Sequence, residues 1–136
     1  MKKLPTTTRA LLLRTDFVDD QAWVRLCCAI QEPSKEGFVA DLEFVNNTTY
    51  EGLTVEEIVK TAANEEARAY VCVADHVTLT DVEQPILVVD CYGRPGQTFR
   101  VIPSAVWSVE NNLSIANMDF QDFVGICDDE GVFRGF

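Results

Sequence analysis

Positive charge is scarce in this sequence, whose 136 residues include 11 Lys and Arg against 22 Asp and Glu, for a net charge of −11 at pH 7. This balance argues against a general binder of nucleic acid or of anionic membranes, because both present negative charge to their partners. Long apolar runs are also missing, and none approaches the roughly 20 residues that a membrane-spanning helix requires. We therefore expect a protein with no nucleic-acid and no membrane partner.

Groups that carry out catalysis are few as well. His76 is the only histidine, so a site with two histidine ligands is excluded. The sequence has no nucleophile elbow, phosphate-binding loop or dinucleotide fingerprint. Its five cysteines form no C-x-x-C pair and lie among apolar neighbours, which favours buried structural thiols in a reducing compartment. These absences predict a protein that uses no cofactor and is not an enzyme.

An export signal is not apparent at the start of the sequence. Two lysines precede an apolar run that extends only from Ala10 to Leu13 before Arg14 ends it. The apolar core of a signal peptide needs about 7 to 15 residues. We therefore expect a cytoplasmic protein.

Enough apolar sequence is nevertheless present for one folded core. Apolar residues make up 47% of the chain, and the absence of a linker or repeat predicts a single domain over residues 1–136. Apolar patterning predicts an α/β fold in the order β-α-β-α-β-β-β-α. The first three strands are separated by helices, so they are expected to pair in parallel within a mixed sheet of about five strands, with helices packed on its faces. The predicted strands are Ala10–Arg14, Phe38–Val45, Ala69–Ala74, Ile86–Tyr92 and Thr98–Ile102.

The helix starts are marked by capping residues. Asp16 or Asp19 is the expected N-cap of the first helix. Thr54 and Glu57 have the spacing of a capping box, which predicts a second helix to about residue 63. A last helix is expected to begin near Asn117. The stretch before it, residues 104–113, is compatible with a short helix or an irregular loop.

A C-terminal hairpin is predicted where the fourth and fifth strands meet. The loop between them contains Pro95 and Gly96, which are typical of a turn. A three-residue loop would place Asp90 opposite Arg100 as a cross-strand ion pair. The residues after Gly131 include two aromatics, and we expect this tail to dock on the domain.

Several carboxylates follow the ends of the first and third strands. Parallel strands bring their carboxyl ends to one edge of a sheet, where open α/β folds bind ligands. One interpretation is a divalent-metal site, since such ions prefer oxygen ligands. The other is that these residues cap helices and turns. His76, beside the last of them, is expected to be a surface residue without a catalytic role. The four candidate metal ligands are Asp16, Asp19, Asp20 and Asp75.

The segment from Trp107 to Phe120 is unusual because it combines a large aromatic with three asparagines. Asparagine side chains satisfy backbone groups in irregular structure, so the segment could be a self-bonded connection. Alternatively, it forms a polar and aromatic surface on which the tryptophan anchors a protein partner. The candidate partner-binding residues are Trp107, Glu110, Asn111, Asn112 and Asp119.

Five pieces of the chain together resemble a small uncharacterised bacterial family of acidic proteins. They are residues 11–17, 53–57, 98–104, 107–120 and 131–136. The resemblance covers nearly the whole chain in the same order. It implies a stand-alone domain in a bacterial cytoplasm, and it transfers no catalytic residues.

The hypothesis that follows is a non-catalytic, acidic protein-binding domain. Its most concrete form is a bacterial immunity protein that neutralises a basic toxin, because opposite charges accelerate association. An enzyme that uses a divalent metal at the strand carboxyl ends is the alternative.

Overall fold

A mixed sheet of six strands forms the centre of the fold in the computed structural model, which describes residues 3–63 and 68–136. The order of the strands across the sheet is β2-β1-β3-β4-β5-β6. The mixed α/β sheet with packed helices that the sequence predicts is confirmed, with one strand more than expected. The strands are β1 (Ala10–Arg14), β2 (Leu42–Val45), β3 (Tyr70–Ala74), β4 (Ile86–Asp90), β5 (Thr98–Val101) and β6 (Val132–Phe133).

Strand directions follow from the connections between the strands. β1 pairs in parallel with both β2 and β3, as helical crossovers require. β4 is antiparallel to β3 and to β5, so the predicted hairpin is confirmed. The additional strand, β6, lies parallel to β5 at the edge of the sheet, which is how the C-terminal tail docks.

Helices cover both faces of the sheet. They are α1 (Asp20–Gln31), α2 (Val55–Ala63), α3 (His76–Thr80), α4 (Val106–Ser114) and α5 (Phe120–Ile126) among the described residues, with short 3₁₀ turns at Thr48–Tyr50 and Pro103–Ala105. No helix in this part of the chain combines the length and apolarity needed to cross a membrane.

Two hydrophobic cores lie on opposite sides of the sheet because β1 is apolar on both faces. Leu12 contributes to a core with residues of α1, α4 and α5, including Leu26 and Phe123. Leu11 and Leu13 contribute to the other core, beneath α2. Burial on both faces is the reason for the unbroken apolar run of this strand.

The predicted helix starts are largely confirmed. Asp19, not Asp16, is the N-cap of α1, and its carboxylate accepts the N–H groups of Gln21 and Ala22. The Thr54 hydroxyl accepts the N–H of Glu57 at 3.2 Å, and Thr54 donates its own N–H to the Glu57 carboxylate at 3.1 Å. This reciprocal pair is the capping box of α2. α4 settles the open alternative for residues 104–113 in favour of a helix.

Two predicted details of the strands are wrong. β2 begins at Leu42 rather than Phe38, because Phe38 and Asp41 contact α4 instead of β1. Arg100 lies opposite Leu87 rather than Asp90. The N–H of Asp90 donates to the carbonyl of Gln97, and the carbonyl of Asp90 accepts the N–H of Gly96. The hairpin loop therefore spans six residues, 91–96, instead of three.

Candidate functional site

The carboxyl ends of β1 and β3 lie side by side because the two strands pair in parallel. Arg14, the last residue of β1, is only 1% exposed and is held by three partners. It donates to the backbone carbonyl of Asp16 at 2.8 Å, to the side-chain oxygen of Asn46 at 3.2 Å and to the carboxylate of Asp20 at 2.8 Å. Its guanidinium carbon also lies 4.4 Å from the centroid of the Phe17 ring. Asp20 is therefore a counter-ion of a buried arginine.

Asp16 joins the two strand ends through His76. Its carboxylate lies 2.7 Å from His76 Nδ1, and it accepts the N–H of Val18 at 2.9 Å. The Val18 N–H is the main influence that holds the pKa of Asp16 below its ordinary value, and His76 acts in the same direction despite partial burial of the carboxyl. The His76 side chain is 74% exposed, so it is a surface residue that is oriented by Asp16.

Asp75 holds β3, α3 and β5 together. Its two carboxylate oxygens accept hydrogen bonds from Arg100 at 3.0 and 2.8 Å, and one of them also accepts the N–H of Thr78. Arg100 donates in addition to the backbone carbonyl of Pro85 at 3.0 Å. Burial alone would raise the pKa of Asp75, but the bonds from Arg100 and Thr78 outweigh it and lower the pKa below its ordinary value.

The four candidate metal ligands thus have separate partners. Asp16 faces His76, Asp19 caps α1, Asp20 pairs with Arg14 and Asp75 pairs with Arg100. Over residues 3–63 and 68–136, no group of three or more His, Cys, Asp or Glu side chains is arranged to hold a metal ion. The capping and pairing roles account for these four carboxylates without a metal.

A different feature is found on the surface of α4, where an aromatic pair consists of an exposed Phe38 and a partly buried Trp107. The ring of Trp107 stacks on that of Phe38, with centroids 4.9 Å apart and planes 14° from parallel. Phe38 is 53% exposed and its neighbour Val39 is 44% exposed. We call Phe38, Val39 and Trp107 the aromatic patch.

A compact turn places Phe38 over α4. The N–H of Ser34 donates to the carbonyl of Phe38 at 2.9 Å, and the Ser34 hydroxyl accepts the N–H of Phe38 at 3.0 Å. Gly37 provides the turn with φ of +90°, a conformation that side-chain-bearing residues rarely adopt. Beyond the patch, Asp41 donates its N–H to the Glu110 carboxylate at 2.6 Å. Residues 38–41 are therefore fastened to α4 at both ends.

Acidic side chains are frequent in the segment that carries Phe38 and Val39. The turn from residue 32 to 41, with Glu110 beneath it, carries four acidic residues and one lysine. Asp41 is paired with Arg9 at 2.9 Å, and Glu32 and Glu36 are exposed. The local charge remains negative. These four acids are Glu32, Glu36, Asp41 and Glu110.

The other candidate partner-binding residues have mainly local contacts. Asn112 donates to the carbonyl of Ser108 at 2.8 Å and accepts from Asn117 at 2.8 Å. Asp119 caps α5 in a capping box with Asp122. Asn111 is exposed on α4. The structure thus brings Trp107 and Glu110 together with the 38–41 segment, while Asn112 and Asp119 stabilise the connection between α4 and α5.

Phe38 and Val39 both lie within the strand that the sequence predicts over Phe38–Val45. The alternation of Phe38 with Val39 resembles a half-buried strand, but the pattern starts directly after Gly37. Both side chains are exposed, so the alternation does not reflect burial on one face. The Ser34 and Gly37 turn is the local signal that marks Phe38 as part of a loop.

The cysteines differ in exposure, contrary to the prediction of five buried thiols. Cys72 is fully buried and Cys28 is exposed, while Cys27, Cys91 and Cys127 are intermediate. Burial raises the pKa of the Cys72 thiol to about 12 and that of the Cys27 thiol to about 11. These shifts keep both thiols protonated at neutral pH, which suits structural roles.

The fold and this surface define a small mixed α/β domain with an exposed aromatic patch in an acidic setting. A family model described as a domain of unknown function, DUF6924, matches residues 9–136. The match spans most of the sequence, so the chain belongs to the DUF6924 family. A search of curated proteins found no match. The predicted membership of an uncharacterised family is confirmed.

Proposed function

We propose that this protein is a non-catalytic binding domain that recognises a basic protein partner through the aromatic patch and its acidic surroundings. The stacked pair of Phe38 and Trp107 is the observation that carries the proposal. More than half of the Phe38 side chain stays exposed although the ring is held in a fixed position. Aromatic residues that are preorganised in this way supply much of the binding free energy of protein interfaces.

The rigidity of the patch supports a role in binding. The Ser34 turn and the bond from Asp41 to Glu110 fix the loop on both sides of Phe38. A loop that is ordered before binding loses little conformational entropy when a partner docks. The exposed aromatic surface therefore does not need to rearrange before binding.

The charge around the patch indicates the kind of partner. The net charge of the chain is −11, and Glu32 and Glu36 add exposed negative charge to the segment that carries Phe38. Complementary charge raises association rates toward about 10⁸ to 10⁹ M⁻¹s⁻¹ at low salt. A basic protein is the partner that gains from this field. A bacterial immunity protein that neutralises a basic toxin in the cytoplasm is the most concrete form of the proposal.

Affinity capture with the immobilised protein tests the proposal. The wild type is expected to retain one basic protein in stoichiometric amount at about 50 mM salt from the cells that make the chain, and to release it at high salt. The double variant Phe38→Ser and Trp107→Ser is expected to retain at least tenfold less. Tyr92→Ser, which removes an aromatic that is 83% exposed on the β4–β5 loop, serves as the matched control.

Two results would contradict the proposal. One is the absence of any stoichiometric basic protein in the captured material. The other is equal retention by the wild type and the double variant, with both shown to be folded by near-ultraviolet circular dichroism. For the immunity form, a toxin gene beside the gene for this protein is expected, and the captured protein should be its product.

A further inference from the structure

A groove separates the β4–β5 loop from the connection between α4 and α5, at the end of β3 opposite to Asp75. Its volume is about 450 Å³, within the range of small-molecule sites. Apolar side chains line it, among them Leu113, Met118 and Phe120, together with Tyr70. A second depression of about 430 Å³ adjoins it and shares Ala69, Tyr70 and Leu113 with it. The two form one continuous surface.

A buried carboxylate builds one wall of the groove. Asp90 is 3% exposed, and its oxygens accept the N–H groups of Tyr92, Gly93 and Arg94 at 3.0, 3.1 and 2.8 Å. These three bonds offset its negative charge and fix the loop. As a result, Tyr92 and Arg94 stand at the groove in a defined position, although both are exposed.

A strained backbone builds the facing wall. Ala116 has φ of +56°, in the region that favours glycine. The N–H of Ala116 donates to the carbonyl of Leu113 at 3.2 Å, and the N–H of Asn117 donates to the carbonyl of Asn112 at 3.0 Å. This pattern is a Schellman cap, in which glycine is the usual residue. Ala116 lines the groove, and strained residues of this kind cluster at ligand-binding positions.

Two arginines at the groove have no carboxylate partner among the described residues. Arg94 has no ion pair there, and Arg68 donates only to the backbone carbonyls of Pro5, Thr7 and Arg9. Arg68 also lies close enough to Cys91 to oppose the rise of its thiol pKa, which burial dominates. In a chain with twice as many acids as bases, two cations that lack a carboxylate partner within residues 3–63 and 68–136 are unusual beside an apolar groove.

Asp119 is the exposed carboxylate that lines the groove, and it is engaged in helix capping. Its side chain accepts the N–H of Asp122 at 3.0 Å at the start of α5. One oxygen of Asp119 is occupied by that bond, and the arginines are the charged side chains at the groove that can donate hydrogen bonds to an anion. Arginine binds carboxylates through paired hydrogen bonds, and the apolar lining favours a hydrocarbon body.

We infer that this groove binds a small apolar acid, a molecule with an aromatic or branched hydrocarbon body and one anionic head. The body lies against Leu113, Met118 and Phe120, and Arg94 receives the anionic head. This site is separate from the aromatic patch and does not depend on the proposed protein partner.

Two fluorescent probes of the same shape test this inference on the intact protein. One is 8-anilino-1-naphthalenesulfonate, and the other is N-phenyl-1-naphthylamine, which lacks the sulfonate. The sulfonate probe is expected to bind saturably with one site per chain and to be displaced by 1-naphthoate. Arg94→Gln is expected to weaken its binding at least tenfold while changing that of the neutral probe less than twofold.

Lys35→Gln is the matched control, since it removes an exposed cation from the α1–β2 connection, away from the groove. It is expected to change neither affinity more than twofold. Ala69→Trp, which introduces a large ring at the junction of the two depressions, is expected to abolish binding of both probes. Near-ultraviolet circular dichroism and a thermal melt on each variant separate site binding from dye uptake by unfolded protein.

Three results would overturn the inference. The first is an absence of saturable binding by the sulfonate probe. The second is unchanged sulfonate affinity in Arg94→Gln, a change on an exposed loop that leaves the core intact. The third is unchanged binding in a folded Ala69→Trp protein, which would place the dye elsewhere.

Discussion

Replacing Asp75 by Asn separates a structural role of this carboxylate from a role as a metal ligand. Asp75 and Arg100 form a two-bond ion pair in which their side chains are 25% and 22% exposed. Asparagine retains an oxygen that can accept the N–H of Thr78 at the start of α3. The substitution therefore removes the charge while leaving the cap of the short helix in place.

The expected cost is about 2 kcal/mol of unfolding free energy. A hydrogen bond to a charged group contributes roughly 1.5 to 3 kcal/mol, and Asn can replace at most one of the two bonds to Arg100 with a weaker neutral bond. Partial exposure of both side chains keeps the cost below that of breaking a fully buried pair, which is about 3 to 5 kcal/mol. Arg100 would also lose the charge that compensates its burial.

Urea unfolding at pH 7 in the presence of EDTA measures this cost. Glu56→Gln is the matched control, since it neutralises an exposed carboxylate that pairs with Lys60 one helical turn away. Such exposed pairs contribute about 0.5 kcal/mol or less. The wild type is also expected to show no increase in melting temperature when Mg²⁺ is added.

The difference between wild type and Asp75→Asn should depend on pH. The folded-state pKa of Asp75 lies below its ordinary value, so the carboxylate stabilises the fold fully above the unfolded-state pKa of about 4. That stability is lost as the pH falls below about 4 toward the lower folded-state pKa. The two proteins should therefore converge in stability as the pH falls below about 4.

A metal-ligand role for Asp75 predicts the opposite pattern. Neutralising one of several converging carboxylates would relieve repulsion and stabilise the metal-free protein. Mg²⁺ would then raise the melting temperature of the wild type but not of the variant. The structural role would be refuted if Asp75→Asn were as stable as the wild type, or more stable, at pH 7. It would also be refuted if Mg²⁺ raised the melting temperature of the wild type but not of the variant.

Two further predictions concern the backbone of the α4–α5 connection and the thiols. Ala116→Gly is expected to raise the unfolding free energy by about 0.5 to 1 kcal/mol, because glycine adopts the positive φ of this position without strain. Ala29→Gly inside α1 is the control and should lower the unfolding free energy by about 1 kcal/mol. Equal effects of the two substitutions in urea unfolding would contradict this prediction. Cys28 is exposed and should react with Ellman's reagent in the native protein. Cys72 should react only after unfolding, because it is buried and burial raises the pKa of its thiol to about 12. Rapid reaction of a native variant in which Cys72 is the sole cysteine would contradict this prediction.

Local signals in the sequence predicted the features that depend on neighbouring residues. The Thr54 and Glu57 spacing identified the start of α2 because both halves of the capping box lie within one turn of helix. The run from Leu11 to Leu13 identified β1 as a central strand because side chains on both of its faces are buried. Parallel pairing followed from the helices that separate the first three strands.

Contacts between distant residues could not be predicted in the same way. A three-residue loop would place Arg100 opposite Asp90. The Asp90 carboxylate instead accepts three N–H groups of a six-residue loop, and the longer loop shifts the register of the two strands. Arg100 then reaches Asp75, 25 residues earlier in the chain. Only the folded register reveals that pairing.

The candidate site was only partly predicted, because it also depends on a contact between distant residues. Trp107 was identified as a potential anchor from its residue type. Its stacking partner Phe38 lies 69 positions away and was assigned to a strand, so neither the aromatic patch nor its attachment to α4 could be derived from local patterns. The short helix α3 was also missed, since its five residues give too little periodicity to recognise.

The most direct test of the central claim is the kinetics of binding between this chain and its purified basic partner. Loss of Phe38 and Trp107 is expected to raise the dissociation rate at least tenfold with little change in the association rate. Charge reversal at Glu32 and Glu36 is expected to lower the association rate and reduce its salt dependence, whereas Glu56→Lys on the opposite face of the sheet should have a smaller effect. Unchanged rates in the aromatic and charge-reversal variants would contradict the claim that the aromatic patch and its acidic surroundings form the binding surface.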